Sequence, residues 1–264
     1  MQIISEEYLS EEKIEILKKE FDQAEPYRYV VMDNFIKPEV ADQLFDNFPG
    51  FDKLDIHWKG MNENKSEGSQ FELWHDSFKQ LKNDVQSKEF SKWIAKWTGI
   101  EDSMVSNDKL GCGVHQGKNG SFLDPHVDFN MHHKLNKFRR LNLLIYLNKN
   151  WNPEEYGGAL ELWDAEMKNC VKEVDVVFNR CVIFETSDFS YHGYSKISLP
   201  EGITRKSFYT YIYTDEQGLQ KSYHDTTFKS RPDEKVSKKV KTAAKETLKN
   251  SVKKTFKKLG IKFG

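Results

Sequence analysis

The heptapeptide "DPHVDFN", which runs from Asp124 to Asn130, places His126 and Asp128 two residues apart. In an extended segment the side chains of residues i and i+2 project to the same side. One ion could then contact both, because imidazole nitrogens and carboxylate oxygens are good ligands for first-row divalent metals. A single His-x-Asp pair also occurs by chance on surface strands, so a metal site requires a third ligand.

Four later histidines are candidates for this third ligand. His132 and His133 lie in the charged connection "FNMHHKLNKFRR", which predicts solvated side chains. His224 follows the last predicted strand, and we expect it to lie outside the site. His192 comes directly after an apolar β-run and before a glycine, where a strand of a barrel would end near its neighbours. His192 is therefore the best geometric choice.

With His192, the pair His126 and Asp128 becomes a face of two histidines and one carboxylate. This ligand set leaves three positions of an octahedral Fe(II) open. Open positions imply that a second molecule binds beside the metal. The sequence therefore predicts a metal site with a co-substrate, and the next motif indicates which chemistry that co-substrate carries.

Arg205 begins the β-run "RKSFYTYIYT", 13 residues after His192. An arginine buried inside a barrel is costly unless it pairs with an anion. A dicarboxylate could chelate the metal at one end and accept a bidentate bond from the guanidinium at the other. Ser207 lies on the same face by alternation, and the phenol of Tyr146 could add a hydrogen bond. Alone, Arg205 would be an exposed strand residue and Tyr146 a core aromatic; with the triad they predict a co-substrate anchor.

The elements that must position these residues are predicted as helices first and strands second. Helical spacing covers residues 11–21, a stretch from Pro38 onward and residues 78–97. Short β-rich runs separated by turn residues follow, which favours a sandwich or barrel over alternating βαβ units. The expected fold class is α+β, with N-terminal helices that buttress a jelly roll at residues 108–214. The polar residues 57–70 are predicted to form a loop long enough to act as a lid.

Composition limits the classes of protein. A chain of 264 residues that is 38% hydrophobic can bury a full core, and we expect residues 1–228 to form one domain. No apolar run approaches the roughly 18 residues that span a bilayer, and the amino terminus lacks a signal-peptide pattern, so we expect a cytoplasmic protein. The three cysteines are widely spaced, which predicts reduced thiols and neither disulfides nor a zinc site.

The tail, residues 229–264, differs in charge from the rest of the chain. It holds 13 Lys and Arg against 3 Asp and Glu, although the whole chain has a net charge of -1. Apolar residues recur at every fourth position from Val236 to Phe256, which predicts a lysine-rich helix with a narrow apolar stripe. The stripe could dock on the body of the protein. Alternatively, the tail could contact an anionic membrane surface or nucleic acid.

A series of motifs resembles one known family. The strings "HVDFN", "RRLNLLIYLNKNW", "YGGALELW", "NRCVIFE", "HG" and "TRKS" are similar to those of the prolyl-4-hydroxylase-like Fe(II)/2-oxoglutarate dioxygenases, over roughly residues 26–214. The resemblance implies a double-stranded β-helix, Fe(II) held by His126, Asp128 and His192, and 2-oxoglutarate bound by Arg205 and Tyr146. O2 would be the other co-substrate, and ascorbate is a candidate reductant. The insertion "SKISLPEGI" and the basic tail depart from the family pattern.

The resemblance implies hydroxylation of an unactivated C–H bond, with release of succinate and CO2 and with a peptidyl proline as the candidate substrate. Asp128 favours hydroxylation, because related halogenases are expected to have a small residue there. A sugar or small-molecule hydroxylase on the same core is the alternative, and a non-enzymatic cupin-like metal sensor is the alternative from another class. Nucleic acid is not expected, because nucleic-acid demethylases of this class typically carry a second arginine where this chain has Tyr211.

Overall fold

A computed structural model describes residues 3–220 and 222–258, with side chains as far as Lys249. The helices are α1 (Glu11–Gln23), α2 (Pro38–Asp46), α3 (Asp76–Val85), α4 (Lys88–Thr98), α5 (Pro153–Tyr156) and α6 (Val236–Lys258). The strands are β1 (Tyr29–Met32), β2 (Ile56–Lys59), β3 (Glu63–Gly68), β4 (Met104–Val105), β5 (Cys112–Gly117), β6 (Phe122–Val127), β7 (Met131–His132), β8 (Lys137–Tyr146), β9 (Leu160–Trp163), β10 (Cys170–Val174), β11 (Cys181–Glu185), β12 (His192–Tyr194), β13 (Arg205–Thr214) and β14 (Thr227–Phe228).

The strands form one antiparallel sheet that curls back on itself. Their pairing order is β1-β11-β8-β13-β5-β3-β6-β12-β9-β10, and β2, β4, β7 and β14 add to β3, β13, β8 and β6. Strands β11 and β12 are far apart in this order, yet the rings of Phe184 and His192 lie 4.7 Å apart. The sheet is therefore nearly closed. The α+β class and the jelly roll predicted from the sequence are confirmed.

Alternation along the strands separates two apolar layers. In β8, Leu141, Leu143 and Ile145 pack in the core that the N-terminal helices share. Tyr146 belongs to a second cluster, inside the curled sheet. In β13, Phe208 packs with the helices, so the residues at odd positions of this strand face the interior. This alternation directs the polar side chains of both strands towards the site.

The helical segment predicted over residues 78–97 is two helices, α3 and α4. The break occurs at Ser87, whose hydroxyl accepts a hydrogen bond from the backbone N–H of Phe90 (3.1 Å) and caps α4. The aromatic side chains of α4 are buried, and the ring of Trp97 packs against Phe21 of α1 with 5.3 Å between the ring centroids. The helices thus form the layer that supports the sheet.

The prediction of a loop over residues 57–70 was wrong. Strands β2 and β3 form a hairpin there, and β3 also pairs with β5 and β6. The usual alternation of apolar and polar residues is missing from the sequence because the inward side chains of β3, Lys65 and Glu67 among them, line a cavity. The hairpin is therefore a wall of the site.

The tail forms helix α6, but its apolar stripe does not dock on the body. Val236, Val240 and Leu248 are 74%, 61% and 66% exposed, whereas the polar residues Thr242 and Glu246 are buried. The helix therefore packs through its polar face, contrary to the docking alternative. Two positions of the stripe, residues 252 and 256, lie outside the described side chains. Within the described part of the chain, no helix is both long and apolar enough to cross a membrane.

Candidate active site

The structure brings His126, Asp128 and His192 together. His126 lies in β6, Asp128 follows the end of that strand, and His192 begins β12 directly opposite His126. The Nε2 atom of His126 lies 3.4 Å from Oδ1 of Asp128, and the Nε2 atom of His192 lies 3.2 Å from Oδ2. Among the described residues this is the one cluster of three or more His, Cys, Asp or Glu residues whose ligand atoms all lie within 4.8 Å of one another. It could hold a metal ion.

Backbone contacts orient both imidazoles. The Nδ1 atom of His126 lies 3.0 Å from the carbonyl of Asp124, and that of His192 lies 3.0 Å from the carbonyl of Ser190. A carbonyl can only accept, so each Nδ1 carries a proton and each Nε2 is the nitrogen that faces Asp128. Burial, reinforced by the neighbouring His192, lowers the pKa of His126. His126 thus favours the neutral form that ligates metals.

The glycine after His192 allows β12 to approach β6 closely. A Cβ atom at Gly193 would lie 2.5 Å from the carbonyl oxygen of Leu123. Any side chain here would push the two histidine-bearing strands apart. This close approach gives a physical reason for the "HG" motif of the sequence.

Two residues that the sequence analysis did not assign to the site hold Asp128 in place. The Nη2 atom of Arg139 lies 2.9 Å from Oδ2 of Asp128, and the amide of Asn142 donates to the same oxygen at 2.7 Å. Burial alone would raise the pKa of Asp128, but Arg139, His192 and His126 together hold it well below its usual range. Asp128 is therefore an ionised carboxylate.

Arg139 reaches the site because of an irregularity in the pairing of β8 with β13. Leu141 pairs with Ile212 and Arg139 pairs with Tyr213, so Arg140 is skipped. The guanidinium of Arg139 lies 3.4 Å from the ring centroid of Tyr211. The doubled arginine was visible in the sequence, but which of the two faces inward depends on this irregularity.

The other histidines lie apart from the triad. The prediction that His132 is solvated was wrong: it is fully buried, and its Nε2 atom lies 3.1 Å from the hydroxyl of Ser106. His133 is exposed, as predicted. His224 lies 3.2 Å from Asp188 and takes no part in the cluster, as expected.

Arg205 and Tyr146 lie side by side in the interior. The Nε of Arg205 donates to the carbonyl of Gly158 at 2.9 Å, and the guanidinium lies 4.3 Å from the Tyr194 ring and 5.1 Å from the Tyr146 ring. Ser207 is buried in β13, paired in register with Tyr146. Among the described residues no carboxylate pairs with Arg205.

The Tyr146 hydroxyl is buried and has no acceptor for its proton in the described part of the chain. Burial raises the pKa of Tyr146, and the guanidinium of Arg205 partly opposes that rise. A buried cation beside a spare hydroxyl donor fits the distal carboxylate of a dicarboxylate such as 2-oxoglutarate. Both groups lie outside the cavity that opens beside the metal ligands.

That cavity has a volume of about 540 Å³ and opens beside His126 and Asp128. The hairpin β2–β3 supplies one side, with Trp58 at its rim, and α6 supplies another. Five basic and five acidic side chains line it together with several aromatic rings.

On the hairpin, Lys65 donates to Glu67 at 3.2 Å, and the Nε2 atom of His115 lies 3.3 Å from the same carboxylate. Burial and the nearby Lys65 ammonium lower the pKa of His115 to about 4. His115 is therefore neutral, and Lys65 and Glu67 form a partly buried ion pair beside it.

Residues 112–213, which include the whole triad, match the model of the 2OG-Fe(II) oxygenase superfamily. Over these residues the jelly roll of this chain matches that superfamily's oxygenase domain. The family predicted from the motifs is confirmed, and so are the cofactors that the family uses, Fe(II), 2-oxoglutarate and O2. The buried guanidinium of Arg205, the unpartnered hydroxyl of Tyr146 and the ligand set at the triad fit these molecules.

A relative from Mus musculus extends the comparison beyond the matched residues. Prolyl 3-hydroxylase OGFOD1 of Mus musculus is 26% identical over 204 residues, which are 72% of this chain and 33% of the mouse protein. The chain therefore spans about a third of the length of that relative.

Two solved structures share the fold of the oxygenase domain. A Pseudomonas putida prolyl-4-hydroxylase (TM-score 0.54, 16% identity) covers 75% of this chain and 98% of its own. A Trichoplax adhaerens prolyl hydroxylase in complex with a hypoxia inducible factor peptide fragment (TM-score 0.56, 16% identity) covers 80% and 97%.

Proposed function

We propose that this protein hydroxylates an unactivated C–H bond of a peptidyl proline, with 2-oxoglutarate and O2 as co-substrates and succinate and CO2 as co-products. The observation that carries the proposal is the convergence of two buried imidazoles and one ionised carboxylate beside an open cavity. The oxidation of the C–H bond would come from Fe(II), 2-oxoglutarate and O2. The chain supplies ligands, orientation and a shielded site.

The roles of the named residues follow from their contacts. His126, Asp128 and His192 would hold the metal. Arg205 would bind the distal carboxylate of 2-oxoglutarate, because it is a buried cation without a carboxylate partner among the described residues. Tyr146 would donate its free proton to the same group.

Asp128 itself supports hydroxylation as the outcome. Its carboxylate occupies the third ligand position between the two imidazoles, and Arg139 and Asn142 fix its orientation. A halogenating site would need room for a halide at this position. The side chain fills that room, so a hydroxyl group is the product that the ligand set favours.

Proline is proposed as the substrate because the curated relative is a prolyl hydroxylase. The aromatic rings of the cavity, such as Trp58 and Tyr211, suit the apolar faces of a pyrrolidine ring. The charged groups beside them would bind the surrounding peptide. The relative is a prolyl 3-hydroxylase, so the carbon that is oxidised is left to product analysis.

The test is succinate formation by the Fe(II)-loaded protein across proline-containing peptides, free amino acids and sugars. We expect turnover with peptides, loss of the product in the Pro→Ala versions of these peptides, and no turnover in the His192→Ala variant. Turnover with sugars or free amino acids alone would replace the peptide by a small-molecule substrate. Metal binding without any 2-oxoglutarate binding would instead indicate a sensor.

We also propose a role for the outward face of α6, where Val236, Val240 and Leu248 are exposed among lysines. Such a face suits an anionic lipid surface. Sedimentation with anionic liposomes at low and physiological salt tests this role. Binding that weakens with salt supports it, and equal sedimentation with neutral liposomes contradicts it.

A further inference from the structure

The polar face of α6 forms part of the cavity that opens at the metal ligands. One turn of α6 lines that cavity, with the side chains of Lys245, Glu246 and Lys249. The apolar residues Val236, Val240 and Leu248 are exposed instead. A helix that buries polar groups and exposes its valines gains little from the hydrophobic effect. Specific polar contacts must therefore determine its position.

Those contacts converge on Asp124, a fully buried carboxylate two residues before His126. Arg231 donates to Oδ1 of Asp124 at 2.9 Å, and the ammonium of Lys238 lies 2.7 Å from Oδ2. Asn62 links Asp124 to α6, since its amide donates both to Asp124 (3.1 Å) and to the hydroxyl of Thr242 in the helix (3.0 Å). The tail is thus held in one position against the strand that carries His126.

Among the described side chains of α6, Glu246 has an unused hydrogen-bonding capacity. It is 6% exposed, and its Oε2 accepts a hydrogen bond from Lys249 at 3.1 Å. Its Oε1 has no donor in the described part of the chain. A buried carboxylate oxygen without a donor is unfavourable, and an N–H group of a ligand would remove that penalty.

The charges of the cavity restrict the ligand that could supply this donor. Basic and acidic side chains are equal in number along its wall. A polyanion such as a phosphate backbone would meet as many carboxylates as cations there. A ligand with N–H donors as well as oxygen acceptors, such as a peptide or an amino acid, complements both signs.

We propose that α6 is a substrate-binding wall of this oxygenase and that Glu246 accepts a hydrogen bond from an N–H group, amide or ammonium, of the substrate. The proposal rests on the proposed function for the reaction at the triad. It adds a specificity determinant outside residues 112–213, the part of the chain that matches the superfamily.

Binding to the full-length protein loaded with Mn(II) and 2-oxoglutarate tests the proposal without turnover. The probes are proline-containing pentapeptides with lysine, alanine or glutamate beside the proline, together with free L-proline and L-lysine, measured by calorimetry. We expect the Kd of the best probe to rise about tenfold or more in Glu246→Ala, because a charge-assisted hydrogen bond is lost. Glu246→Gln distinguishes an ammonium donor from an amide donor. A ligand that binds through its ammonium should lose as much affinity as in Glu246→Ala, and a ligand that binds through an amide should lose less.

Two control variants accompany the measurement. Leu248→Ala changes an exposed residue on the same turn and should bind the probes as the unmodified protein does. Val240→Ala, at another exposed position of α6 outside the cavity lining, should likewise leave the probe affinity unchanged. Equal probe affinity in the unmodified protein and Glu246→Ala, or no binding of any probe, overturns the proposal. Mn(II) and 2-oxoglutarate affinities report separately on the proposed function.

Discussion

The guanidinium of Arg139 and the carboxylate of Asp128 form a buried ion pair, with Nη2 2.9 Å from Oδ2. The same carboxylate faces both imidazoles of the triad. Arg139 therefore fixes the orientation and the ionisation of a metal ligand without contacting the metal position itself. The Nη1 atom of Arg139 has no partner among the described residues.

Replacing Arg139 with glutamine is expected to lower Mn(II) affinity by about 10- to 100-fold, the range typical of groups that support metal ligands. The loss should deepen as the pH falls, because the pKa of Asp128 rises without the guanidinium. Calorimetric titration at several pH values measures both effects. Arg140→Gln, which removes a neighbouring buried arginine without touching Asp128, is the matched control. Equal affinities in the two variants would contradict the role of Arg139.

Alanine in place of His126, Asp128 or His192 should weaken Mn(II) binding by more than about 100-fold, since each variant loses a direct ligand. His133→Ala is the control, because His133 lines the cavity but contacts none of the three. Circular dichroism would verify that each variant is folded. An unchanged Mn(II) affinity in His192→Ala would mean that another histidine is the third ligand.

Arg205→Ala should cost about 2 to 5 kcal/mol of 2-oxoglutarate binding free energy, because a buried bidentate contact is lost. Arg205→Lys should restore only part of it, since an ammonium cannot reproduce the bidentate geometry. Tyr146→Phe should cost about 0.5 to 3 kcal/mol, the range of one hydrogen bond. Each titration is run on Mn(II)-loaded protein. Normal 2-oxoglutarate affinity in Arg205→Ala would rule out the anchor.

His115 should make the fold sensitive to acid. In the unfolded chain its pKa is about 6.5, whereas burial and Lys65 lower it to about 4 in the folded protein. The unfolded state therefore binds a proton first as the pH falls. The contribution of this residue to stability is complete above pH 6.5 and is lost as the pH falls towards 4.

Urea unfolding at pH values across this window measures the effect. The stability lost between the two ends should be smaller in His115→Gln than in the unmodified protein, by at most about 3 kcal/mol. Lys65 and His115 lower the pKa of Glu67 against the effect of burial. Protonation of Glu67 therefore adds a further loss of stability below about pH 4.5. Identical pH profiles of the two proteins would show that His115 is not the titrating group.

Two truncations separate the Arg231 contact from the helix that follows it. Arg231 pairs with the buried carboxylates of Asp124 and Glu161, each at 2.9 Å. A chain cut after Glu234 keeps this contact and loses α6, whereas a chain cut after Phe228 loses both. The shorter chain should be less stable than the longer one by about 3 to 5 kcal/mol, because two buried charges lose their partner. Equal urea midpoints would contradict this expectation.

The sequence by itself determined the chemistry of the site and the class of the fold. The spacing of His126 and Asp128, the glycine after His192 and the start of a strand at Arg205 are local features. Period-two alternation in β13 then placed Arg205 and Ser207 on the same face. These features depend on neighbouring residues only, so they could be predicted before any contact between distant segments was known.

Only the tertiary structure decided what surrounds that site. Arg139 faces inward because the pairing of β8 with β13 skips one residue, and such a skip has no local signature. Strand β3 carries polar residues because it lines a cavity, so it lacked the apolar alternation by which strands are predicted. Helix α6 packs through its polar face because partners over a hundred residues away, at Asn62 and Asp124, bind Thr242 and Lys238. Hydrophobic patterning cannot reveal an interface that ion pairs and hydrogen bonds hold together.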